Sequence, residues 1–229
     1  VVEEQRVDGE VLADADVALA VKTAATVRLQ ANAGQSCIAA KRFIVHRDVV
    51  DVFTSQLVER FQALKIGDPL DSGTEVGPLA TPRILADIEA QVNKSVALGA
   101  RLMVGGVRVG DQGNFYAPTI LTHVQKGMPV YDEETFGPVV AIITVESEEE
   151  AIYVANDTVY GLAASIFSQD VDRAKEIASK LDAGAVFINC PVKSDPAAPF
   201  GGIKKSGYGR ELSHYGLKEF VNVKTLMVG

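Results

Sequence analysis

The sequence predicts an α/β fold in which helices flank a layered, mostly parallel β-sheet. Segments with the apolar spacing of helices alternate along the chain with short apolar runs typical of buried strands. Hydrophobic residues make up 47% of the 229 residues, which is enough to bury a sizeable core. Because no repeat, low-complexity tract or strong linker divides the sequence, we expect one large domain.

The predicted helices begin and end at recognisable sequence signals. Val49–Leu64 places six large apolar residues on one face and stops before Gly67-Asp-Pro69. Thr81–Leu98 is followed by Gly99. Ser147–Asn156 carries three glutamates in its first turn, where the helix dipole favours acidic side chains. The other predicted helices are Asp14–Gln30, Val171–Leu181 and His214–Phe220.

Strands are predicted where short runs of apolar and β-branched residues stand between turn residues. The predicted strands are Phe43–His46, Arg101–Val104, Ala117–Leu121, Val139–Val145, Ala163–Phe167, Ala185–Asn189 and Val221–Val228. The last one is apolar, and an exposed apolar strand edge invites pairing with another chain.

Composition excludes several classes of protein. A net charge of −8 argues against a nucleic-acid-binding groove. The longest apolar runs fall short of the ~18 residues of a membrane span, and the acidic start Val1–Asp8 predicts no signal peptide. With only Cys37 and Cys190, a disulfide framework is not expected and a reducing cytoplasm is favoured. We predict no metal site, since His46, His123 and His214 do not form a ligand set.

Three segments carry candidate chemistry. Asn32-Ala-Gly-Gln-Ser-Cys37 places a thiol on a small turn, where it could attack a carbonyl while a backbone N–H holds the oxyanion. A buried, inert cysteine is the alternative. Glu133–Pro138 could grip a ribose and lay an aromatic ring against a cofactor, or form an exposed acidic turn. Pro199–Glu211, rich in glycine, could line a site or need its glycines only for backbone reasons.

The order and spacing of these segments resemble the aldehyde dehydrogenase superfamily. The matching motifs are N-A-G-Q-S-C, E-E-T-F-G-P, A-N-D-T-V-Y-G-L at 155–162 and P-F-G-G-I-K-K-S-G-Y-G-R-E. Two longer matches, G-Q-S-C-I-A-A-K-R-F-I-V-H and S-G-Y-G-R-E-L-S-H-Y-G, are most similar to bacterial succinate-semialdehyde dehydrogenases. The resemblance implies an unmatched segment at 1–11 and, at 12–229, a catalytic cysteine domain that ends in an oligomerisation segment.

The resemblance also implies roles for individual residues. Cys37 is the nucleophile: its thiolate attacks a small aldehyde, the thiohemiacetal gives a hydride to NAD or NADP, and water hydrolyses the thioester. Glu134 matches the acid that binds the nicotinamide ribose, and Phe136 matches the aromatic beside the nicotinamide ring. Cys190 is expected to pack in the core or the pocket wall. The substrate-pocket residues implied are Asn32, Asn189, Ser194 and Phe200.

Three features depart from the family pattern. The E-L-G-G run that supplies the general base for deacylation is not present, although Glu3 and Glu4 lie in that region. An N-terminal NAD(P)-binding domain would precede this point, so the isolated chain is expected to bind no cofactor and to be inactive. Ala31 stands where many semialdehyde dehydrogenases carry an Arg for the substrate carboxylate. Arg28 could replace that Arg, or it could be a solvated helix residue.

The sequence therefore predicts the catalytic-cysteine domain of an NAD(P)+-dependent aldehyde dehydrogenase, with succinic semialdehyde as the favoured substrate. We expect it to form a homo-oligomer and to contact neither nucleic acid nor membrane. Two alternatives remain: a non-catalytic, truncated structural or interaction module, and a cofactor-free esterase that acylates its thiol but deacylates slowly.

Overall fold

A computed structural model describes residues 7–30 and 32–229, and within them a single sheet of seven strands. The strands are β1 Val7–Val11, β2 Arg42–His46, β3 Arg101–Val104, β4 Thr119–Thr122, β5 Val139–Val145, β6 Ala163–Phe167 and β7 Ala185–Ile188. Their order is β3-β4-β5-β2-β1-β6-β7, and every neighbouring pair is parallel except β3 with β4. The predicted fold class, a layered and mostly parallel α/β sheet, is confirmed.

Helices cover both faces of the sheet, as a parallel sheet requires. They are α1 Val17–Ala25, α2 Arg47–Gln62, α3 Pro82–Ala97, α4 Pro129–Asp132, α5 Glu148–Asn156, α6 Val171–Ala178 and α7 Ser213–Lys218. α1 and α2 pack on one face through residues such as Val21, Phe53 and Leu57. α3, α5 and α6 pack on the other through residues such as Ile88 and Ile177. Among the described residues, no helix is both long enough and apolar enough to cross a membrane.

Side-chain caps explain where several helices begin. Asp16, Thr81, Ser147 and Asp170 each accept a hydrogen bond from a backbone N–H in the first turn of the following helix. The helix predicted from Asp14 therefore starts only after Asp16. At its other end, Thr26–Gln30 widens into a π-helical turn, which carries the chain toward the cysteine motif.

The C-terminal strand predicted at Val221–Val228 is not confirmed. This segment follows α7 and forms neither helix nor strand. Its apolar side chains are largely exposed, with Val223 at 87% and Val228 at 88%. A strand needs a neighbouring strand to satisfy its backbone groups, and no segment in the described part of the chain pairs with it.

The central strand β1 is not predicted by the sequence, because two acidic residues interrupt its apolar pattern. β1 lies between β2 and β6, and all five of its residues are buried. Val7 and Val11 face the layer of α1 and α2, so the alternation of side chains turns Asp8 and Glu10 to the opposite face. Asp8 pairs there with Arg42, whose Nε lies 2.9 Å from Asp8 Oδ1.

Of the two acidic residues in β1, only Asp8 forms an ion pair with Arg42. Glu10 does not. It is 1% exposed, and neither carboxylate oxygen has a hydrogen-bond partner among residues 7–30 and 32–229. Burial, and secondarily the neighbouring Asp8, raise the pKa of Glu10 well above its ordinary value of 4.5. The native state therefore holds a proton on Glu10 that the unfolded chain releases near pH 4.5.

At the edge of the sheet where the parallel strands begin, which we call the amino edge, two loops come into direct contact. Asn32, Ala33 and Gly34 precede β2 and have consecutive positive φ angles of 57°, 52° and 76°. A Cβ on Gly34 would lie 2.3 Å from the carbonyl oxygen of Gly137, in the loop before β5. Only glycine fits here, because both the backbone conformation and the space exclude a side chain.

We predict that Gly34→Ala separates these two loops. The clash adds to the cost of a left-handed residue, so the free energy of unfolding should fall by roughly 3 kcal/mol or more. Gly110→Ala is the matched control, since Gly110 has φ 72° and nothing near its Cβ position. It should cost only about 1–2 kcal/mol. If urea unfolding shows the same loss of stability for Gly34→Ala as for Gly110→Ala, the contact with Gly137 adds no cost and the prediction is wrong.

A second prediction concerns Glu10. Its raised pKa means that stability is fully present below pH 4.5 and falls as pH rises from 4.5 toward the folded-state value. Glu10→Met should therefore raise the free energy of unfolding at pH 7 by about 1–4 kcal/mol, with the gain shrinking toward pH 4.5. Exposed Glu59→Met should change little at either pH. A lower free energy of unfolding for Glu10→Met than for the wild-type chain at pH 7 would contradict this prediction.

Candidate active site

Cys37 lies on an exposed turn at the amino edge, between the π-helical turn and β2. Its neighbours hold this turn in place. Gln35 Nε2 donates to the Asn32 carbonyl at 3.0 Å, and Asn32 Nδ2 donates to the Gln35 carbonyl at 3.1 Å. Gln35 Oε1 also accepts from the Ala80 N–H at 2.7 Å. Cys37 is therefore an exposed thiol on a braced turn and not a buried, inert core residue.

Two depressions meet at Cys37. The larger one, which we call the α3 cleft, has a volume of about 1270 Å³ and lies between the cysteine turn, α3 and the loop that carries Glu134 and Phe136. The smaller one, which we call the glycine groove, has about 580 Å³ and is lined by Leu162, Phe200 and residues 201–202 and 206–211 of the glycine-rich loop. A nucleophile at this junction can reach molecules held on either side.

The acidic loop is only partly an exposed turn. Glu133 is exposed, and its Oε2 accepts from Gln91 Nε2 of α3 at 3.0 Å. The Glu134 side chain is 8% exposed and lies beside the ammonium group of Lys41 at 3.0 Å. Because Glu134 and Phe136 both line the α3 cleft, the carboxylate and the aromatic ring suit a ribose diol next to a flat heterocycle. The residues present therefore fit the nicotinamide riboside part of NAD(P)+.

Two buried cations lie under the cysteine turn. Arg28 is 0% exposed and donates to the carbonyls of Val139 at 2.7 Å and Thr135 at 2.6 Å, and to the Thr135 hydroxyl at 2.9 Å. Lys41 is 1% exposed. Its ammonium donates to the carbonyls of Ser36 at 2.9 Å and Cys37 at 3.0 Å. The two cations thus tie the cysteine turn, the acidic loop and the start of β5 together.

The pKa values of both cations are lowered in this site. Burial, and secondarily the charge of Arg28, lower the pKa of Lys41 to about 8, although Glu134 acts in the opposite direction. Burial lowers the pKa of Arg28 to about 9, again opposed by Glu134. With two cations and one carboxylate, the floor of the site carries a net positive charge at neutral pH. Such a charge favours anionic groups formed above it.

Both roles considered for Arg28 in the sequence are wrong. The residue is neither a solvated helix position nor a free cation for a substrate carboxylate, because its guanidinium is buried and bonded to backbone carbonyls. Ala31, the position where an Arg was expected, lies outside the described residues, as do Glu3 and Glu4.

The structure brings some of the remaining candidates to Cys37 and separates others. Phe200 lines the glycine groove together with Cys37, and Asn32 braces the cysteine turn. Asn189 follows the last residue of β7, at the opposite edge of the sheet, where its amide exchanges hydrogen bonds with the Ser168 backbone. Ser194 is exposed and lines neither depression. Cys190 is half-buried.

Sequence reasoning missed Lys41 and Gln35 altogether. The available signal for Lys41 was its place in Lys41-Arg42, a pair of cations directly before the apolar run of β2 and therefore in a position to be buried. Within the part of the chain that the structure describes, no three His, Cys, Asp or Glu side chains cluster as metal ligands.

Comparison with known proteins agrees with this geometry. The sequence matches the Aldehyde dehydrogenase family over residues 10–226. It is 52% identical over 218 residues to the probable NADP(+) succinate-semialdehyde dehydrogenase of Synechocystis sp., an alignment that covers 95% of this chain and 48% of that protein. It is 47% identical to the NAD(P)+ succinate semialdehyde dehydrogenase Sad of Escherichia coli, covering 94% and 46%. The chain spans about half the length of the curated relatives it matches.

Solved structures share the fold. Succinate-semialdehyde dehydrogenase from Burkholderia pseudomallei superposes with a TM-score of 0.90 at 40% identity, covering 95% of this chain and 45% of that one. Betaine aldehyde dehydrogenase from Staphylococcus aureus, solved in complex with NAD+, gives 0.88 at 39% identity, covering 94% and 43%. On its sequence match and its fold, this chain belongs to the aldehyde dehydrogenase family.

Proposed function

We propose that this chain is the nucleophile-bearing part of an NAD(P)+-dependent dehydrogenase that oxidises succinic semialdehyde to the acid. The observation that carries the proposal is the position of Cys37 at the junction of two depressions. An aldehyde oxidation needs that arrangement, because the attacked carbon must face the substrate site on one side and the hydride acceptor on the other.

Each side of the junction has a role in this reaction. Thiolate attack by Cys37 converts the aldehyde into a thiohemiacetal in the glycine groove, beside Phe200. NAD(P)+, when bound, supplies the acceptor for the hydride that leaves the thiohemiacetal carbon. Glu134 and Phe136 orient the nicotinamide riboside in the α3 cleft. Water then cleaves the thioester, releasing the acid and restoring the thiol.

The names of the relatives and the positive charge under the site support the proposed substrate and cofactor. The sequences compared above are named for succinate semialdehyde and for NADP(+) or NAD(P)+. The net positive floor formed by Arg28 and Lys41 suits an anion-forming reaction above it. Arg28 does not pair with the substrate carboxylate, because its guanidinium is occupied by backbone carbonyls and the Thr135 hydroxyl.

We also propose that the chain associates with further copies of itself. The segment after α7 exposes Phe220, Val223, Leu226 and Met227. A contiguous exposed apolar segment of this kind is typical of a protein–protein contact. Sedimentation of the chain at several concentrations tests this, with a monomer at all concentrations as the contrary result.

The central experiment measures protection of Cys37 rather than turnover alone. Succinic semialdehyde should slow alkylation of Cys37 by iodoacetamide, because the thiohemiacetal removes the free thiolate. Succinate, which cannot form this adduct, is the control ligand. Mass spectrometry of the Cys37 peptide separates this reaction from any at Cys190. In parallel, NAD(P)H formation at 340 nm is recorded for the chain and for Cys37→Ser.

The outcomes distinguish the candidate functions. Turnover that disappears in Cys37→Ser would establish dehydrogenase chemistry in the chain itself. Protection without turnover is expected if the hydride acceptor needs more protein than this chain supplies. No protection by any aldehyde would contradict the proposal and favour a structural module.

A further prediction tests the α3 cleft as the nicotinamide side. Glu134→Ala should weaken binding of NADP+ by roughly ten-fold, because it removes charge-assisted hydrogen bonds to the ribose. Asp87→Ala is the matched control, since Asp87 is a second carboxylate that lines the same cleft. Isothermal titration calorimetry of the two variants provides the comparison. A larger loss with Asp87→Ala would place the ribose elsewhere.

A further inference from the structure

Lys41 has no role in the chemistry described so far, although its ammonium group lies directly under the nucleophile. Three acceptors surround it: the Ser36 carbonyl at 2.9 Å, the Cys37 carbonyl at 3.0 Å and the Glu134 carboxylate at 3.0 Å. An ammonium group has three protons, so one group satisfies three acceptors from two loops. A lysine that only filled space would not need two consecutive carbonyls of the cysteine turn.

The bond to Ser36 also sets the direction of an N–H group. The Ser36 carbonyl and the Cys37 N–H belong to one peptide unit, which is planar and trans, so the two groups point in opposite directions. With its carbonyl held toward the buried Lys41, this peptide directs the Cys37 N–H away from the protein interior. The Ala39 N–H, which donates to the same carbonyl at 3.1 Å, helps to fix the peptide plane.

The Cys37 N–H is available for a ligand. No acceptor for it is found among the residues that the structure describes, and the Cys37 side chain beside it is exposed. A cation bonded to the carbonyl of a peptide withdraws electron density from that unit and makes its N–H a stronger donor. The charge of Arg28 nearby adds to the positive field at the same place.

We propose that Lys41 is a positioning residue that aims and polarises the Cys37 N–H as an oxyanion donor. The inference rests on the proposed function, since it takes Cys37 as the nucleophile. When the thiolate attacks a carbonyl carbon, a C–S bond forms and the C=O π electrons move to oxygen. The Cys37 N–H donates to that oxyanion. Collapse of the oxyanion re-forms the carbonyl: an ester would lose an alkoxide or phenolate, and an aldehyde adduct would pass its hydride to NAD(P)+ when that acceptor is bound.

Two reactions of the same thiol separate this role from a structural one. p-Nitrophenyl acetate acylates Cys37 through an oxyanion and releases p-nitrophenolate. Iodoacetamide alkylates the same sulfur by displacing iodide, and no oxyanion forms. Both rates depend on the exposure and ionisation of the thiol, so their ratio reports the oxyanion donor alone. Neither reaction needs a nicotinamide, and pH 7 keeps Lys41 protonated, given its pKa of about 8.

We expect Lys41→Met to lower the ratio of acylation to alkylation by about ten-fold or more. Lys41→Arg, which keeps the charge and the donors, should restore most of the ratio, and Lys41→Gln should lie between them. Lys204→Met is the matched control. Lys204 also bonds two carbonyls, those of Asn156 at 3.0 Å and Thr158 at 3.2 Å, and pairs with Asp182 at 3.2 Å, but it does not contact the cysteine turn. This variant should leave the ratio unchanged.

Each contrary result overturns the inference in a different way. An unchanged ratio in Lys41→Met, or equal losses of both rates, would mean that Lys41 only supports the turn. If Lys41→Met does not fold, an unchanged ratio in Lys41→Gln carries the same meaning. A wild-type chain without Cys37-dependent acylation would mean that no oxyanion donor operates. An absence of hydride transfer with the ratios as expected would count against the proposed dehydrogenase and not against Lys41.

Discussion

The hydrogen bonds of two buried cations to backbone carbonyls organise the amino edge of this sheet. Arg28 and Lys41 come from segments on either side of the cysteine turn, and together they bond to that turn and to the acidic loop before β5. Hydrogen bonds from charged groups stabilise by about 1.5–3 kcal/mol each, which offsets the cost of removing the cations from water. The same two loops come into direct contact at Gly34 and Gly137, where a Cβ on Gly34 would lie 2.3 Å from the Gly137 carbonyl oxygen.

Much of the fold follows from the sequence because its signals are local. Alternating periodicities predicted six of the seven strands of the described sheet, and the capping residues account for most differences at the helix ends. The exception, β1, is instructive. Asp8 and Glu10 make the segment look polar, yet Arg42 from the next strand pairs with Asp8 and allows it to be buried. Because Arg42 lies in a different strand, its pairing with Asp8 cannot be read from the residue pattern of β1.

The candidate site divides in the same way. Cys37, Glu134 and Phe136 stand in motifs, so the sequence identified them, and the structure places all three along one cleft. Lys41 was not singled out, and neither role considered for Arg28 was a buried one, because a helical pattern does not reveal that its polar residue points into the interior. Asn189 was expected in the substrate pocket, but it follows the end of β7 and bonds to the Ser168 backbone at the carboxyl edge of the sheet. The strand predicted at Val221–Val228 required a partner that the described chain does not contain.

Ligands in open parallel sheets usually lie beyond the carboxyl ends of the strands. Here the cysteine turn and the acidic loop precede β2 and β5, so the candidate site lies at the other edge. At the carboxyl edge, β2 passes into α2 without a loop, and short connections such as Glu146–Ser147 join β5 to α5. A fluorescent label attached at that edge would sit a full strand length from the thiol. It could therefore follow folding without disturbing alkylation of the Cys37 thiol.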